Sequence, residues 1–264
     1  MKLAFDKLSG AGNDFVLIKA AGKRSYGALA RRLCDRRGGV GADGLLVVSK
    51  RPRLALSYFN ADGSAAFCGN GSRCAVWWMF QRGWTSGRRA FSFATSVGEL
   101  QAEMRGPARA AIRMPLPRVL RLNMKIKALG ISFITHWLDT GVPHAVIAVK
   151  NLAKFPVAEI GRAVRFHKAF GKAGANADFI QFTKSDLRVR TYERGVEDET
   201  LACGTGAVAA AIAACALGKA RSPVSVQVRS GQTLKVHFTR KDDAFKDLWL
   251  EGPARLVFSG EIDK

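Results

Sequence analysis

Apolar and polar positions alternate at the start of the chain and then break at a glycine-rich turn. Residues 5–19 read as strand, turn and strand, with Gly10-Ala11-Gly12-Asn13-Asp14 as the turn and Phe15-Val16-Leu17-Ile18 as the second strand. Residues 28–34 fit a short helix with basic residues outward. Gly38-Gly39-Val40-Gly41-Ala42-Asp43-Gly44 is too glycine-rich for the interior of an element and opens into the strand Leu45-Leu46-Val47-Val48. It lacks the spacing of a P-loop or of a dinucleotide fingerprint. Another strand covers 54–60, and the turn Asn60-Ala61-Asp62-Gly63-Ser64 delivers the chain to Cys68. The helix after Cys68 is predicted to turn Val76, Trp77 and Phe80 inward and to end at Gly83. Short β-prone pieces then alternate with Gly98 and Gly106, and Pro115 and Pro117 mark a boundary.

The second half repeats this logic. Strands are predicted at 131–134, 145–149, 179–182, 187–193, 224–228, 234–238 and 248–251, and helices at 157–166 and from Ala207 to Leu217. Cys203 lies 135 positions after Cys68, and Asp178 lies 135 after Asp43. The pattern therefore predicts two similar α/β units facing each other, 1–116 and 117–252, with the tail 253–264 returning to the first.

Composition changes the picture only in part. The formal charge of +21 raises nucleic acid as a partner, yet the basic residues are scattered as doublets such as Arg31-Arg32 and Arg88-Arg89. They read as solvated surface that would concentrate small anions near a cleft, so neither a nucleic-acid nor a membrane partner is expected. No run of residues has the length of a membrane span. The N-terminal stretch has no signal-peptide pattern and is read as mature, cytoplasmic sequence. Five cysteines, with no CxxC and no adjacent Cys/His pair, fit neither a disulfide framework nor a metal site.

Two of those cysteines stand apart. Cys68-Gly69-Asn70-Gly71 and Cys203-Gly204-Thr205-Gly206 each precede a helix, which places both thiols at helix N-termini, where unpaired N–H groups stabilise a thiolate. Cys34, Cys74 and Cys215 read as packing residues. Two thiols on opposite faces of an acidic C–H carbon can remove a proton from one side and return one to the other, inverting configuration. The N–H groups of Gly69, Asn70, Gly204 and Thr205 can stabilise the carbanion through its carboxylate. No cofactor and no metal is required.

FDKLSGAGNDFV, FNADGSAAFCGNGSRCAV, TGVPHAVI, NADFIQ and ERGVEDETLACGTGAVAAA, in this order, resemble the diaminopimelate epimerases over essentially the whole chain. The resemblance implies an α/β fold of two pseudo-symmetric domains, each a sheet wrapped around a central helix. It also implies a homodimer that interconverts LL- and meso-diaminopimelate without a cofactor, for lysine and peptidoglycan synthesis. By the same resemblance, Cys68 and Cys203 are the acid/base pair. Gly69, Asn70, Gly204 and Thr205 hold the α-carboxylate, and Asn13, Asn60, Asn176, Glu193 and Arg194 bind substrate. His144 and Glu193 tune the thiols.

Two positions depart from the family pattern: Gly44, where many members have Gln, and Val142, where many have Asn. Two other readings compete. A proline racemase-like enzyme would use the same paired thiols without needing Arg194, and a basic nucleic-acid-binding protein would carry inert cysteines.

Overall fold

The computed structural model describes residues 2–22, 25–118, 120–184, 186–242 and 244–263. In chain order, the first elements are β1 (Lys2–Gly10), β2 (Asn13–Lys19), α1 (Tyr26–Cys34), β3 (Gly44–Ser49), β4 (Ala55–Asn60), β5 (Ala65–Ala66) and α2 (Gly69–Gln81). Next come β6 (Ala90–Thr95), β7 (Gly98–Gly106), β8 (Arg109–Arg113), β9 (Leu120–Ala128), β10 (Ile131–Asp139), β11 (Pro143–Ala148) and α3 (Val157–Arg165). The remainder is β12 (Asn176–Phe182), β13 (Leu187–Glu193), β14 (Asp198–Thr200), α4 (Gly204–Ala216), β15 (Val224–Gln227), β16 (Thr233–Lys241), β17 (Ala244–Pro253) and β18 (Arg255–Asp263). The chain forms two compact units, Met1–Arg113 with Glu251–Lys264, and Met114–Leu250.

Within the first unit, β1 and β2 are antiparallel, β2 and β3 parallel, and β3 and β4 antiparallel. The second unit repeats that order in β10 to β13. In each, a short helix makes the parallel crossover, as two parallel neighbours require. Both faces of β2 and β3 are covered, which explains why they read as continuous apolar runs rather than as clean alternation. On one face Val16, Ile18, Leu45 and Val47 pack against Ala30 and Leu33 of α1. On the other, Gly71 of α2 lies so close to Leu46 and Phe15 that an added Cβ would sit 2.9 Å from a Leu46 methyl. In the second unit Ile147, Phe179 and Tyr192 pack against Val157, Ile160 and Val164 of α3.

The central helices α2 and α4 are each thirteen residues long, and each begins on the residue after its cysteine. Ten consecutive residues of α4, Gly206 to Cys215, are buried. α4 has almost no solvent face and α2 has one only at its C-terminal end, at Trp77, Phe80 and Gln81, in a sequence apolar on all sides, so periodicity carries little information about which side points inward. For that reason the inward assignment of Trp77 and Phe80 does not hold. Trp78 and Met79 are the fully buried pair, whereas Trp77 lies nearer the surface and donates its Nε1–H to the Pro107 carbonyl at 2.8 Å.

Besides the two-residue β5, which pairs with β4, three longer strands escape the sequence reading. β9 pairs antiparallel with β10, β14 with β13, and β18 with β1. Charged or polar residues take the exposed positions of β9 and β14, and in β9 Ile126 and Ala128 are buried between such neighbours, whereas β18 exposes the apolar Leu256, Val257 and Phe258.

The crossover helix of the second unit gives a direct stability test. A Cβ on Gly161 of α3 would lie 2.5 Å from Cβ of Tyr192. Overpacking of this kind costs about 1–3 kcal/mol. Gly161→Val is expected to lower the urea midpoint accordingly at an unchanged m-value, and an unaltered midpoint would show that α3 does not sit this close to β13.

Candidate active site

The first unit presents Cys68 as the N-cap of α2. Its backbone is extended (φ −134°, ψ 113°), its Sγ accepts the Gly71 N–H at 3.4 Å, and its carbonyl accepts the Ser72 N–H at 2.8 Å. A thiol has thus taken the role that Ser, Thr or Asp fills at ordinary helix starts. Cys68 is partly exposed and lines a shallow recess with Tyr58, Phe67, Ser72 and Ser96.

Behind it runs a chain of amides and carboxylates. Buried Asn70 donates to Asn13 Oδ1 at 2.6 Å, and Asn13 donates to Asp43 at 2.9 Å. Asp43 also accepts from the Asp14 N–H (3.1 Å) and pairs with Arg36 (2.8 Å). Asp14 pairs with Lys7 at 2.6 Å and with Arg36 at 2.8 Å. Burial works against the Asp14 charge, but hydrogen bonds from Arg36 and Lys7 prevail and hold its pKa down to about 2. Arg73, fully buried, donates to Asn70 Oδ1. Both polar atoms of the Asn13 amide are engaged inside the protein, so Asn13 positions Asn70 whatever else it touches. Asn60 donates to the Ser64 hydroxyl at 3.0 Å within its own turn.

The second unit builds the same start for α4 with different surroundings. Cys203 (φ −114°, ψ 115°) caps the helix, its Sγ accepting from the Gly206 N–H at 3.4 Å and lying 3.4 Å from the Thr205 hydroxyl. Asp178 and His144 are both fully buried, with His144 Nδ1 2.7 Å from Asp178 Oδ2. The Thr191 hydroxyl donates to the other Asp178 oxygen at 2.7 Å. Nε2 of His144 is buried with no hydrogen-bond partner among the described residues. Gly206 is the close-approach position, since a Cβ there would lie 2.5 Å from Asp178 Oδ1.

Asn176 accepts the Arg194 N–H at 2.7 Å and donates to the Pro143 carbonyl at 3.1 Å, which ties the His144 and Arg194 segments together. Burial, followed by the Asp178 charge, raises the Glu193 carboxyl above its ordinary value. Burial and then the Glu193 and Asp178 charges push the Cys203 thiol well up. A resting thiolate at Cys203, which its helix N-terminus alone would suggest, is therefore disfavoured. Burial also raises Cys34 to about 11 and Cys74 to about 12; these two and Cys215 are buried thiols.

Sequence reasoning left Asp43, Asp178, Asp14, Thr191 and Arg73 without a role in the site. The signal for the first two was present, because they mark the internal repeat. At Gly44 an added Cβ would sit 2.4 Å from the Tyr58 ring and 2.6 Å from the Phe59 carbonyl, so the Tyr58 ring fills the room a longer side chain would need. Val142, at the other departure, is partly buried, and its carbonyl accepts the Thr140 N–H at 3.1 Å. Among the described residues no group of three or more His, Cys, Asp or Glu side chains could hold a metal ion.

A twice-built α/β unit wrapped around a helix capped by cysteine defines a fold class with solved representatives. The chain is similar to the Bacillus anthracis phenazine biosynthesis protein of the PhzF family (TM-score 0.78, 14% identity, covering 100% of both chains). It is also similar to a probable proline racemase from Agrobacterium radiobacter (TM-score 0.72, 15% identity, 99% of this chain and 93% of that one). At those identities the likeness is one of fold. Sequence goes further: the diaminopimelate epimerase family model matches residues 5–116 and 136–257. The diaminopimelate epimerase of Chlorobaculum tepidum is 40% identical, over 97% of this chain and 99% of its own, and that of Aquifex aeolicus is 37% identical over 99% and 98%. The chain belongs to the diaminopimelate epimerase family and is an isomerase.

The Asp14 network carries a pH signature. Its folded pKa of about 2 lies below the ordinary 3.8, so its stabilisation is fully present above about pH 4 and is lost as pH falls through 2. Asp14→Asn is expected to cost about 2–4 kcal/mol at pH 6, because it also strands buried Lys7. The difference from the parent should shrink as pH drops toward 2; urea unfolding across that range checks it, and a pH-independent difference would contradict it.

Proposed function

We propose that the protein interconverts LL- and meso-diaminopimelate without a cofactor, with Cys68 and Cys203 as its two acid/base groups. The observation that carries this reading is the duplicated helix start: the same thiol cap, in the same backbone conformation, opens both α2 and α4 in a member of this family. One sulfur, as thiolate, takes the α-proton from one face of the stereocentre. The electron pair left on carbon spreads into the α-carboxylate. The other sulfur, as thiol, then gives a proton to the opposite face, so the configuration inverts and the two sulfurs exchange protonation states.

The first-turn N–H groups of Gly69, Asn70, Gly204 and Thr205 have no acceptor within their helices and are the natural cradle for that carboxylate. Its negative charge grows as the proton leaves, so these donors bind the transition state better than the ground state. Arg194 is the candidate partner for the distal carboxylate, held by the hydrogen bond from its backbone N–H to Asn176, with Asn60 and Glu193 as further substrate contacts. His144 and Glu193 act on the charge state of Cys203. Reduced thiols throughout suit a cytoplasmic setting, and a homodimer is the assembly proposed.

No helix is long and apolar enough to cross a membrane among the described residues. The test is turnover of LL-diaminopimelate, with proline as the competing substrate and with Cys68→Ala and Cys203→Ala as variants. The parent should epimerise diaminopimelate and leave proline unchanged, and each variant should lose at least about 100-fold in kcat. Proline turnover, or full activity in either variant, would overturn the reading.

A further inference from the structure

The wall beside Cys68 carries a tyrosine whose place is open only because residue 44 has no side chain. We infer that Tyr58 is a specificity-determining residue whose hydroxyl accepts a hydrogen bond from the ammonium group at the reacting carbon, and that Gly44 is glycine in order to admit it. The role rests on the proposed epimerase activity and adds a substrate contact to it.

Strands β3 and β4 pair antiparallel with Gly44 opposite Asn60 and Leu46 opposite Tyr58, and residues directly opposite one another share a face. That face is turned to α2, because a Leu46 methyl is what a Cβ on Gly71 would meet first. The other face, with Leu45, Val47 and Phe59, packs with Leu33 of α1. Tyr58 and Asn60, two positions apart on β4, therefore both stand on the α2 side of the sheet. Tyr58 lines the same shallow recess as Cys68, together with Ser72 and Ser96, and among the described residues no acidic or basic side chain lines it. Ser72 Oγ on that wall is buried with no hydrogen-bond partner among the described residues. A wall of neutral hydroxyls that is short of polar company suits a polar guest.

The ring is held in one place. Its edge meets Phe15, with centroids 6.1 Å apart and planes at 80°, and its hydroxyl oxygen would lie 2.7 Å from a Cβ on Gly44. A side chain at 44 and the ring at its present position exclude one another. The hydroxyl reaches the Asp43 carbonyl only at 3.5 Å, the outer limit of a hydrogen bond. Phenylalanine would fill the same space and meet Phe15 equally well, so packing accounts for the ring and not for the oxygen.

The proposed reaction leaves one group for that oxygen. Of the four substituents on the reacting carbon, the hydrogen faces a sulfur, the carboxylate takes the N–H groups of the first helical turn, and the arm leads away to the distal head. The ammonium needs acceptors, and a helix N-terminus offers only donors. A phenol supplies an acceptor without adding a negative charge that would compete with the substrate carboxylate for those donors.

Steady-state epimerisation of LL-diaminopimelate by the full-length parent and its variants tests this, with thermal unfolding of each. Tyr58→Phe keeps the ring and should unfold at the parent's temperature. Its KM should rise about tenfold while kcat stays within about threefold, the pattern of a contact made equally in ground and transition states. Pimelate, the same carbon chain without ammonium groups, should inhibit parent and variant with the same Ki. Gly44→Gln should lose stability by forcing the ring aside, and adding Tyr58→Ala to it should recover part of the loss. Recovery stays partial because the Phe59 carbonyl lies 2.6 Å from the same Cβ.

A parental KM in Tyr58→Phe, with or without a loss of stability, marks a packing residue and would overturn the inference. A pimelate Ki that rises with KM would put the hydroxyl on a carboxylate and overturn it as well, and strictly additive losses for Gly44→Gln and Tyr58→Ala would remove the link between the two positions. A parent that does not turn over diaminopimelate would instead sink the proposed function.

Discussion

A sulfur atom accepting the N–H of the third helical residue is the interaction on which the site depends. That hydrogen bond, from Gly71 to Cys68 and from Gly206 to Cys203, fixes each thiol at the mouth of a helix and leaves the preceding N–H groups pointing outward. It works only because the third position is glycine in both helices. A methyl group there would press on Leu46 in one unit and on Asp178 in the other. The glycines that look like loop residues in the sequence are the means by which a buried helix capped by cysteine comes this close to its sheet.

The scaffold follows from the same demand. A helix that presents its N-terminus to a small molecule, yet must not move, is best held on every side. The sheets of both units wrap α2 and α4 so fully that these helices keep no polar stripe. The cost is that polar groups near the cap are buried as well and must find partners. Asn70, Asn13 and Asp43 satisfy one another in the first unit; His144, Asp178 and Thr191 do so in the second. Among the described residues, Ser72 and Arg73 on α2 and Nε2 of His144, beside Asp178, are places where that satisfaction is incomplete. Incomplete pairing of this kind is where a fold stores functional bias.

Much of this was legible in the sequence. The matched Cys-Gly-x-Gly segments and the constant offset between halves located both helices and both sulfurs, because glycine spacing at a helix mouth has few structural explanations. Strands buried on both faces, such as β3, were visible as apolar runs. What stayed hidden has physical causes. A helix apolar on every side, as α2 is at Ala75 to Phe80, gives no periodicity, so the sequence does not tell the partly exposed Trp77 and Phe80 from the buried Val76, Trp78 and Met79. β9 and β14 expose charged residues, and β18 exposes Leu256, Val257 and Phe258 in a row, so none of the three shows a clean apolar-in, polar-out alternation. The carboxylates behind the cysteines were unreadable because an aspartate in a turn, as Asp43 is, looks the same whether it caps a loop or anchors an asparagine 30 residues away.

The central claim is that two separate groups, not one, move the proton at a single carbon. The most direct measurement is the isotope content of both pools during the first turnovers of LL-diaminopimelate in deuterated water. Two groups acting on opposite faces predict meso product carrying one α-deuterium, while the recovered LL-substrate stays protiated, because the first sulfur can return only the proton it removed. Deuterium entering the recovered substrate as fast as the product would mean that one solvent-exchanging base serves both faces, and would contradict the account.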